Sequence, residues 1–100
     1  MVIHSVFFWI KPDAGAADRA AFPAEVRKLA AVRTIEKIYV GPPAPLEVRE
    51  VTERSFDLAL TIIFKDMASH DAYQVDPIHL AFVDRNKHLW AKVIVYDSKE

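Results

Sequence analysis

Residues 2–10 read Val2-Ile3-His4-Ser5-Val6-Phe7-Phe8-Trp9-Ile10. The stretch is short, β-branched and aromatic, which suits a pleated strand. Side chains of a strand alternate between its two faces. One face then carries Val2, His4, Val6, Phe8 and Ile10, and the other Ile3, Ser5, Phe7 and Trp9. Both faces are apolar, so both need a cover. Helices of the same chain can supply one cover. The other must come from elsewhere.

The remainder of the chain divides by its punctuation. Lys11-Pro12-Asp13-Ala14-Gly15 is a turn. Residues 16–31 are rich in Ala, Arg, Lys and Leu and predict a helix. Phe22, Val26 and Leu29 share one stripe of it. Pro23 is expected to kink that helix or restart it near Phe22. Residues 34–40 predict a second strand, ended by Gly41-Pro42-Pro43, and residues 41–54 an exposed, charged loop. Residues 56–64 predict a third strand, with Leu58, Leu60, Ile62 and Phe64 on one face. Asp66 suits the cap of a short helix over 67–75. At Asp76-Pro77 the first residue can cap and the second open a further helix, reaching about residue 88. Ile78, Phe82 and Leu89 form its apolar stripe. Residues 91–97 predict a last strand, with Val93 and Val95 on one face.

The order β-α-β-β-α-β is the ferredoxin-like pattern of an α+β fold. It predicts a four-stranded antiparallel sheet with helices on one face only. A second copy packed on the bare face would complete the cover, so a homodimer is expected.

Composition narrows the functional classes. The chain has 100 residues, which suits a single domain over 1–100. Its 13 Lys and Arg against 14 Asp and Glu leave no basic excess for a phosphate backbone, so nucleic acid is not an expected partner. With no cysteine there is no disulfide, thiol nucleophile or Cys-ligated metal. Hydrophobic residues make up 52% of the chain. A domain of this length buries only about two-thirds of its unfolded surface. The apolar surplus points to a pocket or a subunit interface. The longest apolar run, Val6 to Ile10, is far below the roughly 20 residues that span a bilayer. The opening Met1-Val2-Ile3-His4 lacks the basic start of a signal peptide. A cytoplasmic protein with no membrane partner is the expectation.

Few polar residues sit on apolar segments. They are His4 on the first strand, Tyr73 at the end of the short helix and His79 at the start of the next. An imidazole and a phenol can serve as base and proton donor near neutral pH. Packing alone also accounts for an aromatic at a helix end. Asp76 and His79 are at i and i+3, but Asp76 has a sufficient role as cap and no second ligand pair is present, so no metal is expected. His70 and His88 read as surface residues.

Three stretches resemble a known family, the stress-responsive A/B barrel (Dabb) domain proteins. The first is His4-Ser5-Val6-Phe7-Phe8-Trp9-Ile10-Lys11, and the second is residues 56–64. The third is Ala72-Tyr73-Gln74-Val75-Asp76-Pro77-Ile78-His79-Leu80-Ala81-Phe82, with Trp90 and Val95-Tyr96-Asp97-Ser98 after it. The family pattern in the third stretch is a Tyr followed by His-Pro-x-His, and the first of those His is Asp76 here. The resemblance implies a dimeric α+β barrel. It also implies a cavity walled by Val6, Phe8, Phe22, Ile38, Leu58, Leu60 and Trp90. One family enzyme, a plant olivetolic acid cyclase, closes a polyketide by aldol condensation. Its Tyr, its His and its strand-one His match Tyr73, His79 and His4. A further strand-three His of that enzyme is Leu58 in this chain. By resemblance, His79 would take a proton, Tyr73 would bond the carbonyl gaining charge, His4 would orient the substrate, and no cofactor would be needed. The rival readings are a non-catalytic stress protein, and a cofactor-free monooxygenase or haem-degrading enzyme of the kind found on related barrels. A cavity of a few hundred cubic ångströms reached by Tyr73 and His79 would favour the ligand reading.

Overall fold

The alternation of residues 2–10 is realised without interruption. In the computed structural model, which describes residues 1–100, β1 spans Val2–Ile10, and its even positions are buried while its odd positions are half-buried. α1 (Ala16–Arg27) follows and passes into a 3₁₀ turn over Lys28–Ala31. Pro23 lies inside α1 and neither ends nor restarts it. The missing N–H gives up one backbone bond. Phe22 and Val26, on either side, are both fully buried, and their packing holds the helix together.

β2 is Lys37–Gly41 and β3 is Leu58–Phe64, both starting later than the sequence suggests. At the entry to β3 the Asp57 N–H donates to the Phe8 carbonyl at 2.8 Å. The Asp57 carboxylate accepts from Ile10 N–H at 2.7 Å. Asp57 thus caps the end of the β1–β3 ladder instead of extending it. α2 (Met67–Gln74) is capped by Asp66, which accepts from Ser69 N–H at 2.8 Å. α3 (Pro77–Asn86) is capped by Asp76, which accepts from Ile78 N–H at 2.8 Å. A 3₁₀ turn over Lys87–Leu89 leads into β4 (Trp90–Lys99). Ile78, expected on the buried stripe of α3, is exposed. Asn86 is buried in its place and donates to the Phe82 carbonyl at 2.9 Å.

The strands form one antiparallel sheet in the order β2-β3-β1-β4, the ferredoxin-like arrangement. Register places Val6 opposite Leu60 on one side and Val95 on the other. The even face of β1 therefore continues through Leu58, Leu60, Ile62 and Phe64 to meet the helices. The fully buried Phe22, Val26 and Leu29 close the core from above. The opposite face holds Ile3, Phe7, Trp9, Ile63, Ile94 and Tyr96, and no helix covers it. Phe56 from the preceding loop lies edge-on to Phe7, with ring centroids 5.0 Å apart.

Candidate functional site

A cavity of about 150 Å³ lies between the covered face of the sheet and α2–α3. β1 contributes His4, Val6 and Phe8, and β3 contributes Leu60. Tyr73 and Gln74 come from α2, and His79, Phe82 and Val83 from α3. Trp90, Val93 and Val95 of β4 line the side where the helices stop short of the edge strand. Val93 and Val95 are exposed, which marks this side as the mouth.

The helix break positions the polar pair. Tyr73 sits in the last turn of α2 and is buried. Asp76 and Pro77 then start α3 so that His79 falls in its first turn. The two rings are 4.5 Å apart between centroids, tilted by 40°. His79 Nδ1 lies 3.1 Å from the Gln74 carbonyl oxygen. A carbonyl only accepts, so Nδ1 carries the hydrogen and Nε2 keeps its lone pair. Burial lowers the His79 pKa from its ordinary 6.5, against an opposing effect of the Gln74 bond. The ring is therefore neutral at neutral pH. Burial also raises the Tyr73 phenol well above its ordinary 10.0, so it stays a proton donor. One group is held as a base and its neighbour as an acid.

His4 faces the same space from the sheet. Its Nδ1 lies 2.5 Å from Oδ1 of Asp97, its register partner on β4. A carboxylate accepts only, so Asp97 fixes the tautomer and orientation of the His4 ring. The Tyr73 ring meets His4 edge-on with centroids 5.9 Å apart.

Seven residues expected in the cavity are together there: His4, Val6, Phe8, Leu60, Tyr73, His79 and Trp90. Three expected walls are elsewhere. Phe22 packs edge-on behind Phe8 at 5.1 Å and stacks on Phe82 at 6.3 Å. Leu58 is buried opposite Phe8, and Ile38 is half-buried opposite Ile62. All three lie in the solid core because α1 packs over the β2 side of the sheet. His70, read as a surface residue, is half-buried, with its ring 5.4 Å from that of His4. Asp97, Gln74 and His70 were not singled out by the sequence. For Asp97 a signal existed: the parity that joins Val93 and Val95 continues to it. The Trp90 indole N–H is buried without a hydrogen-bond partner, an unspent donor on a lining residue.

The family model for the stress responsive A/B barrel domain matches residues 2–100. No curated protein matches the sequence. Among solved structures, a hydroxynitrile lyase from Passiflora edulis is similar at 18% identity and a TM-score of 0.80, covering 97% of this chain and 90% of the lyase. A Dabb family protein from Mesorhizobium loti is 22% identical, with a TM-score of 0.79 and coverage of 99% and 95%. A dimeric ferredoxin-like protein of unknown function from Thermobifida fusca is 17% identical, with a TM-score of 0.79 and coverage of 99% and 90%.

Proposed function

The chain belongs to the stress-responsive A/B barrel family, and on that premise we infer that it is a homodimer that binds a compact, uncharged carbonyl compound. Tyr73 and His79 act on that compound as an acid–base pair, in an aldol-type cyclisation or a related lyase step. The observation that carries this reading is the contact of the two rings in one apolar cavity. A hydroxynitrile lyase built on the same fold adds support.

The chemistry follows from the protonation states. His79 Nε2 removes a proton from carbon next to a carbonyl. The electron pair moves into the carbonyl, and the Tyr73 O–H donates to the oxygen gaining charge. The new carbon nucleophile adds to a second carbonyl, and the resulting alkoxide takes the proton back from His79. A lyase step runs the same transfers in reverse. Asp97 acts as a positioning residue by holding His4 at the cavity floor.

Size limits the substrate. A half-open cavity of about 150 Å³ holds something near a single benzene ring within its walls, which favours a single-ring ligand over a porphyrin. A longer substrate must extend through the mouth at Val93 and Val95. An acceptor on the ligand near Trp90 would satisfy its free N–H.

Binding is tested by thermal shift with single-ring ketones such as acetophenone. A ligand at a hundred times its Kd stabilises the folded state by about 2.7 kcal/mol, which raises the Tm of a domain of this size by roughly 10 °C or more. Val95→Trp plugs the exposed mouth and is expected to abolish the shift while leaving the unliganded Tm nearly unchanged. No shift in the wild type across the ketone series, or an equal shift in Val95→Trp, would reject the reading. The non-catalytic alternative draws on the modest cavity volume, and it predicts no shift.

A further inference from the structure

We propose that His4, His70 and Asp97 form a site for one first-row divalent cation of the zinc or iron(II) kind, beside the cavity floor. A ring nitrogen of each histidine and a carboxylate oxygen of Asp97 all lie within 4.8 Å of one another. They come from β1, α2 and β4, so no local sequence spacing announces them. The His4 and His70 side chains are 6% and 14% exposed, and that of Asp97 is 47% exposed. The imidazoles are shielded, and an ion can enter past the carboxylate.

The donor set suits a borderline-soft transition metal. Two imidazoles and one carboxylate bind zinc or non-haem iron(II) and leave a position open for water or a ligand. Magnesium and calcium prefer sites of oxygen alone.

The surroundings of His70 give a second, independent observation. Its Nδ1 lies 3.0 Å from Asp71 Oδ1, so Nδ1 carries the hydrogen and Nε2 keeps its lone pair. A carboxylate behind a histidine is the support that ligating imidazoles have in metal sites. The free lone pair faces the Gln74 amide nitrogen at 3.3 Å, a long contact from a side chain able to swing away. Metal bonds of about 2.0–2.2 Å put tetrahedral ligand atoms roughly 3.5 Å apart. The His4–Asp97 contact must open by about 1 Å, with His4 Nδ1 releasing its proton to solvent as the ion enters, and His70 must move in by about 1 Å at most. Asp97 sits on an edge strand with room to move. The site does not depend on the Tyr73–His79 chemistry.

Cobalt(II) serves as the probe, because its visible absorption reports imidazole and carboxylate coordination. Titration of the intact protein is expected to reach one ion per chain with a visible band. His70→Ala and the isosteric Asp97→Asn are expected to weaken binding by about tenfold or more. His88→Ala, at an exposed histidine away from the cluster, is expected to bind within twofold of wild type. Circular dichroism checks that each variant is folded. No stoichiometric band in the wild type, or equal binding in His70→Ala and Asp97→Asn, would overturn the proposal.

Discussion

The imidazole of His79 carries the most specific expectation of any side chain. Its pKa is depressed by burial. In the unfolded chain it titrates near the ordinary 6.5, and in the folded chain lower. Its contribution to stability is therefore complete above 6.5 and declines as pH falls through the folded pKa. The His79 ring resonance is expected to titrate below 6.5 by NMR. A His79 midpoint above 6.5 would mean that the ring is not held neutral, and the base assignment would fall. Tyr73 lies on the other side of the same argument. Burial keeps its proton on, so its O–H stays available to donate.

Between elements, a network of polar contacts joins α1 to α3. Glu25 on α1 pairs with Lys28, accepts from Arg85 Nε at 2.9 Å and from Asn86 Nδ2 at 3.3 Å. The Lys28 bond first, then those of Arg85 and Asn86, lower its pKa from 4.5 to about 2. That stabilisation is fully present above pH 4.5 and is lost as pH falls toward 2. The Glu25 side chain is 20% exposed and its cations more so, which limits the effect to about 1 kcal/mol. Urea denaturation at pH 6 and pH 3 should show Glu25→Gln less stable than wild type at the higher pH, with a clearly smaller gap at the lower. An undiminished gap at pH 3 would show that the link is not ionic.

The elements were legible to the degree that one local rule governed them. The period of two fixed β1, and the two Asp caps placed α2 and α3, because each signal lies within a few residues. Pro23 does not restart α1, because tertiary packing of Phe22 and Val26 outweighs a local break. Phe22, Ile38 and Leu58 were placed in the cavity from resemblance, whereas the position of α1 decides which half of the sheet is solid. His70 looked like surface because burial by a neighbouring strand leaves no mark in its own helix.

For the whole molecule, the question is where the apolar surplus goes. Only 17 of 100 residues are buried in one chain, although 52% of the chain is hydrophobic. The uncovered sheet face leaves Tyr39 and Tyr96 58% and 64% exposed. That face is the one a second copy would cover, in keeping with the dimeric protein of the same fold. Light scattering is expected to give twice the 11.4 kDa chain mass. Tyr96→Glu, which sets a charge in that face without disturbing the core, is expected to give a folded monomer. A monomeric wild type would contradict the proposed assembly. No helix is long and apolar enough to cross a membrane.

The most direct test of the account is proton exchange at carbon. In deuterated buffer at neutral pH, the wild-type protein is expected to speed deuterium incorporation next to the carbonyl of acetophenone, followed by NMR. His79→Ala, with dimer mass and fold intact, should lose this acceleration by about a hundredfold or more, the usual scale of a general base. Exchange at the buffer rate with wild type, or unchanged exchange in His79→Ala, would contradict the assignment of Tyr73 and His79 as a working acid–base pair.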